Sequence, residues 1–160
     1  MTTNTLPATA HSAPATVQKV QYNRLWWVGL LAIALALVAN LLVRAIALQF
    51  ITVAPEFAPI SEPSATIFFT AVGVLLATVA FAIVGRFARQ PARTYTIVAI
   101  IALIISLIPN VMMTLNPSAA PFPGGTLGAN ITLMIEHVVA AVVAVWVLNR
   151  WGVEDVMTDA

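Results

Sequence analysis

The stretch Asn130-Ile131-Thr132-Leu133-Met134-Ile135-Glu136-His137-Val138-Val139-Ala140-Ala141 sets an acid beside an imidazole inside a run that is otherwise almost wholly apolar. A long apolar run of this kind reads as membrane-spanning. A charge at mid-bilayer costs roughly 2.5 to 3.5 kcal/mol even on a lenient insertion scale, so each ionisable residue there calls for a partner. The rest of the chain falls into place around the question of what Glu136 and His137 meet.

Composition agrees with a membrane setting. Of 160 residues, 61% are hydrophobic and 8% charged, with a mean hydropathy of +0.97; soluble domains carry about a quarter charged residues. The length allows one domain, and a formal net charge of +1 says little by itself. The absence of cysteine excludes disulfides, thiolate chemistry and cysteine-ligated iron–sulfur clusters.

Apolar runs broken by proline, glycine and charge predict an all-α membrane protein, a bundle of four transmembrane helices over about 25–48, 64–84, 95–115 and 130–148 with short loops. Residues 1–23, rich in Thr, Ala, Pro and Ser, read as a disordered polar tail, 24–152 as the transmembrane domain and 153–160 as an acidic tail. The polar lead is too long, and the first apolar run too extended, for a cleaved signal peptide. Lys19, Arg24, Arg86, Arg89, Arg93 and Arg150 fall on one side of the four spans, while the two opposite loops hold no Lys or Arg. The positive-inside rule therefore places both termini and the arginine turn in the cytoplasm. The Pro/Gly-rich loop Asn116 to Gly128 lacks the lysine and spacing of a phosphate-binding loop and reads as an external turn ending at an Asn130 cap.

Small and polar residues recur at helical spacing: Ala32, Ala36, Asn40 and Arg44 in the first span, Thr66, Thr70, Gly73, Ala77 and Ala80 in the second, Ala99, Ala102, Ser106 and Asn110 in the third. At about 1.5 Å per residue, Asn40 and Asn110 lie roughly 21 and 22 Å above the cytoplasmic ends of their helices, Arg44 roughly 27 Å. Thr70 and Glu136 lie about 9 Å below the outer ends of theirs. All four helices thus carry polar residues in one layer of the outer half, on faces that small residues let approach closely. The candidate site is Asn40, Arg44, Thr70, Ser106, Asn110, Glu136 and His137, with Arg44 and Glu136 the expected ion pair. Pro109 frees the carbonyl of Ile105 and adds a kink beside the layer.

Each candidate has two readings. The Arg44/Glu136 pair is either a proton or ion relay or ligand end, or a salt bridge that fixes helix register; Arg44 alone has the further option of snorkelling to the outer headgroups. His137 is either a titrating or ligating residue or a hydrogen-bonded structural one. It is the sole histidine in the spans, which excludes a bis-histidine haem within one chain, and Glu136 and His137 point about 100° apart and chelate poorly. Ser106 with His137 lacks the glycine-flanked serine and third residue of a nucleophilic triad. The arginine turn is explained by topology before lipid binding.

The turn Arg86-x-x-Arg89-x-Pro91-x-Arg93, the third-helix segment Ser106-Leu107-Ile108-Pro109, and the fourth-helix segments Leu133-Met134 and His137-Val138-Val139-Ala140-Ala141 together resemble a family of small bacterial four-span membrane proteins, domain of unknown function 6069. The resemblance covers about Arg24 to Trp151 and implies the architecture and a bacterial inner membrane. That family has no assigned activity, so it implies no chemistry.

The expectation is then a multi-pass, non-enzymatic membrane protein without cofactor or bound metal, an accessory or structural subunit. The alternatives are a small transporter or channel component using Arg44, Glu136 and His137, or a lipid- or quinone-binding protein. Its partners are the lipid bilayer and either further copies of itself or a larger membrane complex; no nucleic acid is expected.

Overall fold

A computed structural model of the chain describes residues 15–117 and 121–158. Four of its helices are long and apolar enough to cross a membrane: α1 (Leu25–Ala47), α3 (Pro63–Phe87), α4 (Pro91–Leu115) and α5 (Leu127–Trp151). A short helix α2 (Ala58–Ser61) lies in the connection from α1 to α3, and strands β1 (Ala15–Val20) and β2 (Val153–Thr158) flank the bundle. Pro63 and Pro91 occupy the first positions of α3 and α4, where a missing N–H costs nothing and the fixed φ suits a helix. α5 is capped by Thr126, whose hydroxyl accepts from the Ala129 N–H at 3.2 Å. Asn130 is therefore not the cap that the loop sequence indicated. It lies inside α5, buried, and its Nδ2 donates to Thr114 Oγ1 at 3.1 Å.

α3, α4 and α5 run past the apolar segments into the flanking residues, to Phe87, from Pro91 and over Leu127–Trp151. Arg86 closes the last turn of α3 and Arg93 sits in the first turn of α4, so the basic turn is mostly helix.

α1 packs between α3 and α5, and α4 packs mainly on α5. The stripe that sequence spacing indicated in α1 is the packed face: Val28, Ala32, Ala36 and Asn40 are all buried. Beside it, a Cβ on Gly29 would stand 2.9 Å from Thr78 Cγ2, so the glycine permits the close approach of α1 to α3. The main core gathers at the end near the chain termini, around Phe81, Tyr95, Val147 and Leu148, with Phe81 and Tyr95 in an edge-to-face contact at 4.9 Å. Large side chains such as Leu42, Phe68, Ile104 and Val142 point outward. An apolar exterior this extensive belongs in lipid.

The two tails depart from expectation. Ala15–Val20 and Val153–Thr158 form an antiparallel pair, with Lys19 opposite Glu154 and Gln18 opposite Asp155. The tail reading thus fails over 15–20 and 153–158, while residues 1–14 and 159–160 lie outside the described residues. Local composition favoured disorder because the partner strand sits at the far end of the chain; α1 and α5 bring the two together, and the Gln21 N–H extends the ladder to Gly152 O at 2.9 Å. The sheet lies against the arginine turn: Tyr22 donates to Ala82 O at 3.1 Å, and a Cβ on Gly85 would collide with Val20. Both ends of the described chain and the basic turn therefore share one end of the bundle.

At the opposite end the two long connections pack on each other. Phe57, Ile60 and Ala129 form a second buried cluster, with Leu48, Val53, Phe122 and Leu133 against it. Gly124, at φ +78°, turns the chain where a Cβ would stand 2.9 Å from Ala54 Cβ.

Candidate functional site

The polar layer exists, but it divides into two regions about one helical turn apart. The outer region is built on α2. Arg44 donates from Nε to Ile60 O and from Nη2 to Ser61 O, both at 2.8 Å, and Thr66 Oγ1 donates to Pro59 O at 3.3 Å. Three successive carbonyls of α2, which a helix this short cannot satisfy internally, are thus met by side chains of α1 and α3. Ser61 Oγ closes the connection by donating to Pro55 O at 2.9 Å.

The expected Arg44–Glu136 ion pair is not formed. Arg44 is committed to the α2 carbonyls, while Glu136 is 4% exposed and its Oε1 has no hydrogen-bond partner. The carboxyl faces a cavity that Asn40 lines and Arg44 does not. Four residues of helix place Arg44 about 6 Å farther out. Its charge still bears on the carboxylate through space. Snorkelling is excluded by the same two hydrogen bonds.

The cavity lies between α1, α3 and α5, holds about 80 Å³, and includes Asn40, Thr66, Thr70, Glu136 and His137 on its wall. Asn40 Nδ2 donates to Thr70 Oγ1 at 3.0 Å, and its Oδ1 is buried without a partner. His137 Nδ1 lies 2.7 Å from Leu133 O; a carbonyl only accepts, so Nδ1 carries the hydrogen. His137 also lines a second, largely apolar space of about 200 Å³ between α3, α4 and α5, together with Ser106 and Tyr95.

Of the seven candidates, four share the small cavity: Asn40, Thr70, Glu136 and His137. Ser106 donates to Leu103 O at 2.7 Å, and Asn110 Nδ2 donates weakly to Ser106 O at 3.5 Å, so both are largely satisfied within α4. Pro109 and Ile105 lie on the exposed side of α4, toward lipid instead of the layer. Thr66 was missed as a site residue, though its i−4 spacing from Thr70 was visible in the sequence. The carbonyls of α2 carry no sequence signal at all.

Four helices long and apolar enough to span a bilayer define a multi-pass membrane protein. The chain belongs to the family of unknown function DUF6069, whose sequence profile matches residues 20–153. No curated protein and no solved structure matches it.

Proposed function

We propose that the chain is a non-enzymatic protein of the bacterial inner membrane, with both termini and the arginine turn in the cytoplasm, and that it works as a small carrier component with Glu136 on its pathway. One observation carries this reading: a carboxyl buried in the outer half of the bundle belongs to the wall of a small cavity, and the nearby Arg44 guanidinium is engaged elsewhere. A structural salt bridge would account for the acid; its absence leaves the acid available for a ligand. The topology is supported by the sheet, the basic turn and the ends of the chain sharing one end of the bundle.

The test is flux through proteoliposomes carrying purified protein. Solute or ion uptake that falls at least tenfold in Glu136→Gln is expected; no uptake, or uptake that the substitution leaves unchanged, removes the carrier reading. Because the chain has no cysteine, single cysteines at Gln90 and Ser61 test the orientation, with an impermeant maleimide applied to cells expected to label only the second.

A second reading, a lipid-binding protein, is favoured by a separate feature. A groove of about 610 Å³ on the bilayer face between α4 and α5 is walled by Ala99, Leu103, Ala141 and Trp146 and ends at Arg150. That shape suits an acyl chain with its phosphate at the guanidinium. Native mass spectrometry of wild type and Arg150→Ala distinguishes retained phospholipid from none. An accessory role in a larger complex or homo-oligomer draws its support from small size and short loops.

A further inference from the structure

Two buried acceptors on the residues that wall the small cavity have no donor. Asn40, 2% exposed, uses its Nδ2 on Thr70 and leaves Oδ1 unpartnered; Glu136, 4% exposed, leaves Oε1 unpartnered. The Thr66 hydroxyl gives its hydrogen to Pro59 O, so only its lone pairs remain for the cavity. His137 commits the hydrogen on Nδ1 to Leu133 O and so offers none to the cavity from that nitrogen. On the polar wall the hydrogens left to offer are the second N–H of Asn40 Nδ2 and that of the Thr70 hydroxyl, which accepts from Asn40. Buried acceptors without donors are costly, and here two unpartnered oxygens belong to two residues, each more than nine-tenths buried, that share the wall of one cavity.

We infer that this cavity is a binding site for one alkali cation of the sodium class, held between the Glu136 carboxylate and the Asn40 carbonyl with the Thr66 and Thr70 hydroxyl oxygens on the same wall. The inference names the substrate class of the carrier reading and rests on it. Oxygen donors select hard cations. The charge count selects a monovalent one: the wall supplies a single carboxylate, and Arg44, a turn farther out, opposes a second positive charge. Among the described residues no group of three His, Cys, Asp or Glu assembles, which excludes a chelate suited to a transition metal. About 80 Å³ is small.

The experiment is thermal unfolding of the purified full-length protein in detergent, in sodium, potassium or choline chloride at equal ionic strength, alongside the line width of the sodium NMR signal. Wild type is expected to unfold ~3–5 °C higher in sodium or potassium than in choline and to broaden the sodium line. Glu136→Gln loses both effects, and Asn40→Ala shifts the half-saturating concentration upward at least tenfold. Equal unfolding temperatures in all three salts overturn the inference, as does a response that survives Glu136→Gln, or stabilisation by acidification alone. The sodium line of wild type decides the matter where a variant fails to fold. Binding without flux would end the carrier reading and leave this site standing; flux without cation binding would do the reverse.

Discussion

Four residues of α1 separate Arg44 from Asn40, and the regions they enter are built on opposite donor and acceptor balances. Around Arg44, donors and acceptors match: two guanidinium N–H groups and a threonine hydroxyl meet three carbonyls of α2, and the outer connections close over them. Around Asn40, acceptors outnumber donors, and two buried oxygens stand without partners. A charged residue in a span can therefore fasten the fold or wait for a ligand. Which it does depends on the carbonyls and hydroxyls within reach and not on the charge itself.

Substitutions on either side of that divide test it. The largest effect is expected from Arg44→Met, which strips charge-assisted donors from Ile60 O and Ser61 O and should lower stability by about 2–4 kcal/mol, read as a fall in unfolding temperature in detergent. An unchanged temperature would break the account of Arg44 as the fastening of the outer end. Gly124→Ala forces a side chain into the left-handed region at φ +78° beside Ala54 and should cost about 1–2 kcal/mol. If it is silent, the outer connections are not packed as described. Thr70→Val removes the acceptor of Asn40 Nδ2 and should cost about 0.6–1.7 kcal/mol, the range of interhelical hydrogen bonds in membranes. Glu136→Gln in choline chloride is expected to be the mildest, within about 0.5 kcal/mol of wild type, because no bond to Oε1 is lost. A loss as large as that of Arg44→Met would reveal a partner for the acid and erase the contrast.

Much of this was legible beforehand, for identifiable reasons. The spans follow from apolar length, and the inward stripe of α1 from the four-residue spacing of Ala32, Ala36 and Asn40, all of which are buried. The depth layer was legible because rise per residue is constant. The pairing of Arg44 with Glu136 was not, since depth counting resolves position to about a turn, and it sees side chains but not the backbone carbonyls that α2 delivers to Arg44. The sheet was equally hidden: Ala15–Val20 is an unremarkable polar segment until α1 and α5 set Val153–Thr158 beside it.

By itself the sequence determined the number of membrane spans, the packed face of α1 and the existence of a polar layer, because each of these depends on one chain property, local hydrophobicity or helical period, that needs no neighbour; in α3 and α4 the same spacing also picked Gly73 and Ala102, which are exposed. Tertiary structure alone decided what the layer does. Hydrogen bonds form between groups far apart in the chain, and only when α2 folds over α1 does Arg44 find the carbonyls that leave Glu136 unpaired beside the cavity.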